Sequence, residues 1–135
     1  MSDSVFTKII KGEIPCHKVY EDDKTLAFMD IHPVMPGHVL VIPKEQVDHI
    51  DDLDEDSYIA LQKTVKKVMT RLKKVFDAKR SVVLVMGYDV PHAHVHVMPS
   101  NSSSDFYGAI GNINEAANKE VNDKELADIA ERIRF

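Results

Sequence analysis

The chain has 135 residues, 44% of them hydrophobic and 29% charged, which is typical of one globular domain with its own core. Its formal net charge of -5 gives no basic surface of the kind that binds nucleic acid, and no apolar run approaches the roughly 20 residues that span a bilayer. Cys16 is the single cysteine, which excludes an intrachain disulfide and a paired-cysteine zinc site, and the absence of a basic and apolar leader predicts a cytoplasmic protein.

The first half of the chain predicts a short helix followed by three strands. Ser4 or Asp3 is a suitable cap for a helix that runs through Lys11, with a glycine at its end. The predicted strands are 18–20, 25–29 and 39–42. The third is an uninterrupted apolar run between prolines, which indicates a buried central strand, and the proline-rich stretch 30–37 before it predicts an irregular connection.

The second half begins with the clearest helix of the sequence. From Asp54 to Phe76, apolar residues recur at intervals of three and four, with lysines on the opposite, solvated face. A strand at 82–86 and a turn at 87–91 then lead into the next extended run, which predicts an antiparallel pair. We expect 100–121 to be a flexible segment without regular structure, placed where it can lie over a site, and 122–134 to be a C-terminal helix.

Three histidines occupy every second position of the run His-Ala-His-Val-His-Val at 92–97. In an extended strand, His92, His94 and His96 therefore share one face, while the small and apolar residues between them face the core. Imidazole has an unperturbed pKa of about 6.5, so it can act as a nucleophile, acid or base near neutral pH. On the residues alone, a zinc site built from three histidines competes with covalent catalysis.

The run His-Ala-His-Val-His-Val-Met at 92–98 resembles the signature of the histidine triad, or HIT, family. The resemblance extends, in order and spacing, to the segments 6–15, 26–31 and 36–44, and is closest to the branch of small, Hint-like nucleoside phosphoramidases. It implies a single domain over 1–135 with an α+β, HIT-like fold. In such a fold an antiparallel sheet carries one long packed helix and a short N-terminal helix, and two copies join as a homodimer.

The resemblance also implies a site for a purine nucleoside monophosphate or a conjugate of it. His94 matches the nucleophile that attacks the α-phosphorus to form a nucleotidyl-histidine intermediate, and His92, His96 and His38 match its histidine partners. The nucleotide-binding positions that match are Phe6, Ile9, Phe28, Asp30, Ile31 and Leu40. We also expect Gly87, through backbone N–H groups near it, and Asp89, at the position before the triad, to contact the nucleotide. The implied reaction is hydrolysis of purine nucleoside phosphoramidates or related conjugates, without a cofactor.

Two departures from the family pattern bear on substrate and metal. Many relatives carry Gly-Gln-Ser/Thr-Val before the triad; here Asp89 stands at the hydroxyl position, where a carboxylate repels an anionic phosphate. Many bacterial relatives carry a zinc-binding Cys-x-x-Cys pair; here Ser4 and Thr7 stand in its place, so we expect no bound metal. Besides the hydrolase, a nucleotide-binding regulatory protein with weak or incidental hydrolysis and a metalloenzyme remain open.

Overall fold

A five-stranded sheet forms the centre of the computed structural model, which describes residues 2–135. Its strands are β1 (Lys18–Glu21), β2 (Thr25–Met29), β3 (Val39–Pro43), β4 (Arg80–Leu84) and β5 (Val95–Ser100). Every neighbouring pair is antiparallel, in the spatial order β1-β2-β3-β5-β4. The predicted α+β class and antiparallel sheet are therefore confirmed.

Side-chain caps mark where four of the described helices begin, the one that starts at Ser103 among them. The α-helices of residues 2–135 are α1 (Val5–Ile10), α2 (Glu55–Phe76), α3 (Ser103–Gly111), α4 (Ile113–Asn118) and α5 (Asp123–Ile133). Ser4, Asp54 and Asn122 each accept a hydrogen bond from the backbone N–H three residues later, which satisfies one free donor at the start of α1, α2 and α5. The short N-terminal helix and the long helix that packs on the sheet match the prediction.

The central strands β2, β3 and β5 are buried on both faces of the sheet. The helix face packs against α2 and α5, and its strand residues are Val19, Ala27, Met29, Val39, Val41, Val95 and Val97. The opposite face, here called the histidine face, carries Phe6, Leu26, Phe28, Leu40 and Ile42 together with the three histidines of the triad run. Because side chains alternate along a strand, one set of strands supplies both faces.

The histidine run is strand only in its second half. β5 begins at Val95, so His92 and His94 precede the ladder instead of belonging to it. Their backbone has other partners, since the His92 N–H bonds to the Val90 carbonyl at 2.8 Å and the Ala93 N–H to the Val47 carbonyl at 2.7 Å. The expected alternation nevertheless holds where it matters, because the valines of β5 lie in the helix-face core and the imidazoles lie opposite.

Two further segments differ from the prediction. β4 covers Arg80–Leu84 and not 82–86, because its ladder with β5 starts at Arg80 opposite Ser100 and ends at Leu84 opposite His96. The segment 100–121, predicted to lack regular structure, contains α3 and α4. That prediction is wrong because the polar residues that suggested a loop are the cap and first turn of α3, where Ser102 accepts from the N–H of Asp105. The flexibility of the segment stays a prediction.

Candidate active site

A cavity of about 370 Å³ opens on the histidine face. It gathers His38, His94 and His96 with all eight of the nucleotide-binding positions named from the sequence. The apolar members, among them Phe6, Phe28 and Leu40, form its wall. His92 alone among the sequence-predicted site residues does not line the cavity, because it lies beneath it at 0% exposure.

His92 is held by a backbone carbonyl on one side and a hydroxyl on the other. Its Nε2–H donates to the Pro43 carbonyl at 2.8 Å, which leaves Nδ1 free to accept from the Ser4 hydroxyl at 2.8 Å. Burial lowers the pKa of His92 below its ordinary value. The ring is therefore a neutral, fixed support below the cavity.

Gln46 completes this support, and sequence reasoning missed it. Its Oε1 accepts from the backbone N–H of Ser4 at 2.8 Å and from the Thr7 hydroxyl at 2.6 Å, and its amide donates to the Ser2 carbonyl at 3.0 Å. The two hydroxyl residues that stand in place of a zinc-binding pair thus join a hydrogen-bond network around His92. Gln46 lies 42 residues from Ser4 in the sequence, so no local pattern could have revealed the contact.

His94 is oriented by its predecessor in the run. Its Nδ1–H donates to the backbone carbonyl of His92 at 2.8 Å, so the lone pair of the neutral ring sits on Nε2. The Phe6 ring meets the imidazole edge-on, with centroids 5.1 Å apart and planes at 81°. Nε2 has no hydrogen-bond partner among residues 2–135, and His94 lines the cavity. An imidazole held in this way is suited to nucleophilic attack.

His38 and His96 form a directed hydrogen-bond chain. The Val34 N–H donates to His38 Nδ1 at 3.2 Å, so the proton of this ring lies on Nε2 and is donated to His96 Nδ1 at 2.8 Å. Neutral His96 therefore carries its own proton on Nε2, which is buried and without a partner in the described part of the chain. The series of hydrogen bonds therefore ends at the Nε2–H of His96, which donates to no described residue. The centroid of the His96 ring is 5.2 Å from that of His94.

Burial governs the charge of this pair. Burial, with smaller contributions from His38 and His94, lowers the pKa of His96 to about 4, and burial also lowers the pKa of His38. The Asp30 carboxylate opposes both shifts, with Oδ2 at 3.5 Å from His38 Nε2. The pair is consequently neutral at pH 7 until a ligand brings negative charge to it.

Asp30, His38 and His96 also lie close enough together to hold a metal ion, because one ligand atom from each lies within 4.8 Å of the others. The hydrogen bonds argue for a different use. The Val34 N–H points at His38 Nδ1, which places a proton on the Nε2 atom that a metal would need. The arrangement therefore favours proton handling over ligation, and the absence of a bound metal stays a prediction.

Helix α4 and the turn after β4 close the cavity from above. Ile113 and Ala117 of α4 line it. The sequence predicted only that the segment 100–121 can lie over a site, without naming these two residues. Gly87 has a φ of 77°, a left-handed conformation that glycine adopts without strain, and it turns the chain from β4 toward the histidines. Ile113 is an apolar residue in a polar stretch of the sequence, which marks it as a candidate for burial. Its sequence neighbours do not indicate which part of the protein it packs against.

Comparisons with known proteins identify relatives of the chain by sequence and by fold. The HIT domain family model matches residues 11–103, which contain all five strands and α2. The chain is 43% identical over 99 residues to an uncharacterized HIT-like protein of Methanocaldococcus jannaschii, covering 70% of this chain and 77% of that protein. It is 36% identical over 96 residues to the adenosine 5'-monophosphoramidase of Schizosaccharomyces pombe, covering 70% of this chain and 72% of that protein. The crystal structure of a Hit-like protein involved in cell-cycle regulation from Bartonella henselae superposes with a TM-score of 0.81 at 32% identity, covering 98% of this chain and 95% of that one.

Proposed function

The chain belongs to the HIT domain family, and from this we propose that it hydrolyses purine nucleoside phosphoramidates, or related nucleoside monophosphate conjugates, at the α-phosphorus. The observation that carries the proposal is the orientation of His94, whose Nδ1–H is held by the His92 carbonyl while Nε2 is left free. The similarity to a phosphoramidase of Schizosaccharomyces pombe supports the same reaction class. His38, His92 and His96 are proposed as positioning and proton-handling partners, and the lining residues as the nucleotide pocket.

The reaction proceeds in two displacements at phosphorus. The substrate anion raises the pKa of the His38–His96 pair, which takes up one proton on His96 Nδ1 as the His38 Nε2–H turns from His96 to Asp30 Oδ2, 3.5 Å away. His94 Nε2 then bonds to the α-phosphorus, the phosphorus–nitrogen bond of the substrate breaks, and the amine leaves with that electron pair and a proton from His96 Nε2. Water next bonds to phosphorus, the bond to His94 breaks, and one water proton returns to His96 as the monophosphate departs.

The test is a rapid-quench experiment with adenosine 5'-phosphoramidate, followed by intact mass measurement. Wild-type protein should show a transient adduct of one AMP moiety, which decays as AMP is released. His94→Ala should bind AMP, form no adduct, and lose turnover by about 10⁴-fold or more, as removal of a covalent nucleophile does in other enzymes. His49→Ala is the matched control, since this histidine is exposed and outside the cavity. Undiminished turnover in His94→Ala would overturn the proposal.

A nucleotide-binding regulatory protein with weak hydrolysis is the second candidate. It is favoured by one observation, the exposed carboxylate of Asp89 on the cavity wall, which repels an anionic phosphate. If AMP binds at the cavity while quenched samples contain neither adduct nor product, this second function replaces the first. The experiment above therefore separates the two.

Assembly and location complete the proposal. We place a homodimer contact along the free edge of β4 and the neighbouring surface of α2, because Val83 and Ile59 are 41% and 43% exposed there. Light scattering on the purified chain tests this. No helix formed by residues 2–135 combines the length and the apolarity needed to cross a membrane. A cytoplasmic location is proposed because a lone, unpaired cysteine suits a reducing compartment.

A further inference from the structure

The rim of the cavity, residues 86–90, carries a charge and an aromatic surface that the proposed chemistry does not use. Tyr88 is 92% exposed and Asp89 is also exposed, and both line the cavity. Among the described residues, the Asp89 carboxylate forms neither an ion pair nor a hydrogen bond. It is an unpaired anion at the mouth of a site that is expected to bind another anion.

In the free protein, the described residues that line the cavity offer nothing to balance that charge. Within residues 2–135, no lysine or arginine lines it, and its formal charges are the carboxylates of Asp30 and Asp89. The buried imidazoles of His38 and His96 are neutral in the free protein because burial lowers their pKa. A phosphoramidate with a neutral leaving group therefore brings a net negative charge to a wall that is already negative.

The two carboxylates differ in whether they have hydrogen-bond or ionic partners within the protein. Asp30 Oδ1 accepts from the His32 N–H at 2.8 Å, and Oδ2 lies 3.5 Å from His38 Nε2, so Asp30 is engaged inside the protein. Asp89 is the carboxylate that remains available to a ligand, and it shares the rim with an exposed aromatic ring. A carboxylate and an accessible aromatic ring on the same rim are a favourable setting for an organic ammonium group.

The cavity also separates the parts of a substrate. The apolar wall formed by Phe6, Phe28 and Leu40 is buried and suits a base and ribose. The rim opens to solvent, so it is the side on which a leaving group of variable size can project. A phosphorus atom that joins these two parts would lie between them, on the side of the cavity that His94 lines.

We propose that Asp89, with Tyr88, selects leaving groups that carry a positive charge, so that the preferred substrates are nucleoside phosphoramidates of amines bearing a second, cationic amino group. This inference rests on the proposed function. The bound substrate is then nearly neutral overall, which removes the repulsion that Asp89 otherwise exerts on the phosphoryl anion. One exposed ion pair with a supporting aromatic ring corresponds to a preference of about 10-fold.

The test compares three adenosine 5'-phosphoramidates whose nitrogen substituents differ at the terminal group: 3-aminopropyl, which is cationic, butyl, which is neutral, and 2-carboxyethyl, which is anionic. Initial rates give kcat/KM for the wild type, Asp89→Asn and Asp89→Glu. Asp23→Asn is the matched control, because it removes an exposed carboxylate outside the cavity. The substrates differ in intrinsic reactivity, so the readout is the change in their ratios between variants.

We expect the cationic-to-neutral ratio of kcat/KM to be about 10-fold higher in the wild type than in Asp89→Asn, and the anionic-to-neutral ratio to be lower, with both differences weakened by added salt. Asp89→Glu and Asp23→Asn should keep both ratios within about 2-fold of the wild-type values. Unchanged ratios in Asp89→Asn, with hydrolysis still measurable, would overturn this inference and leave the proposed function standing. Absence of hydrolysis and adduct in the wild type for all three substrates would instead remove the proposed function and this inference with it.

Discussion

The two faces of the sheet are built from the same strands but follow different rules. On the helix face, β3 and β5 contribute valines to a closed aliphatic core against α2 and α5. On the histidine face, the alternate residues of those strands are larger apolar side chains and imidazoles, which surround a cavity and form hydrogen bonds. The comparison teaches that packing and chemistry can be assigned to alternate residues of one strand. Each face should then respond to its own kind of perturbation.

The largest effect on stability is expected from the helix face. Leu61 of α2 is 0% exposed, so Leu61→Ala should lower the free energy of unfolding by about 2–5 kcal/mol through lost burial and a residual cavity. Glu131→Ala on α5, where the side chain is exposed, should change it by less than about 0.5 kcal/mol. Urea denaturation measures both. Nucleotide hydrolysis per folded molecule should stay unchanged in each, and a specific loss of activity in Leu61→Ala would show that the two faces are not independent.

Acid should act on the histidine face next. The pKa of His96 is lowered from 6.5 to about 4, so the unfolded chain binds a proton before the folded one as the pH falls. The stabilisation is therefore present above pH 6.5 and is lost toward pH 4. For His96 it amounts to about 2 kcal/mol between pH 6.5 and about pH 4.5. Denaturation curves across this range should show the loss, reduced in His96→Gln and retained in His49→Gln. An equal pH dependence in both variants would contradict the assignment.

A smaller loss of stability is expected at the support beneath the cavity. Ser4→Ala removes the α1 cap and the hydroxyl that donates to His92 Nδ1, and should cost about 1–2 kcal/mol in the free energy of unfolding. The matched control is Ser2→Ala, whose side chain is exposed. Nitrogen-15 NMR of His92 provides the specific readout, because the Nδ1 signal should shift when its donor is lost. A Ser4→Ala protein with an unaltered Nδ1 signal would show that the hydroxyl does not hold this ring.

The smallest effect is expected where α4 covers the cavity. Ile113→Ala removes apolar contact from the site and should weaken AMP binding by about 3- to 10-fold, with little change in stability. Asn114→Ala, on the exposed side of the same helix, is the control. Titration calorimetry measures both. Equal AMP affinity in the two variants would show that α4 does not contribute to the nucleotide pocket.

Local pattern was sufficient for much of the fold. The spacing of apolar residues from Asp54 to Phe76 identified α2, and the cap residues Ser4 and Asn122 marked the starts of two other helices. It failed at β4, whose ends are set by its pairing partner and not by its own apolar residues. It failed again at α3, because serine and aspartate are typical of loops and of helix caps alike.

The sequence was sufficient to predict which residues form the site, but not how the histidine rings are oriented within it. The resemblance named the positions that the fold gathers around one cavity. It did not reveal which ring nitrogen carries each proton, since those assignments depend on the Pro43 carbonyl, the Val34 N–H and Gln46. Pro43 lies 49 residues from His92, Gln46 lies 42 residues from Ser4, and Pro43 and Val34 act through their backbone, where side-chain identity carries no signal.

The alternation of Val95, His96 and Val97 along β5 also specifies the register of the strand. A slip of β5 by one residue against β3 would carry His96 into the aliphatic core beneath α2 and move the valines to the opposite side. Unpaired imidazoles among aliphatic side chains are costly, so the wrong alignment would be rejected before it could consolidate. The sequence pattern that places a histidine in the site thus also disfavours a misaligned register of the strand.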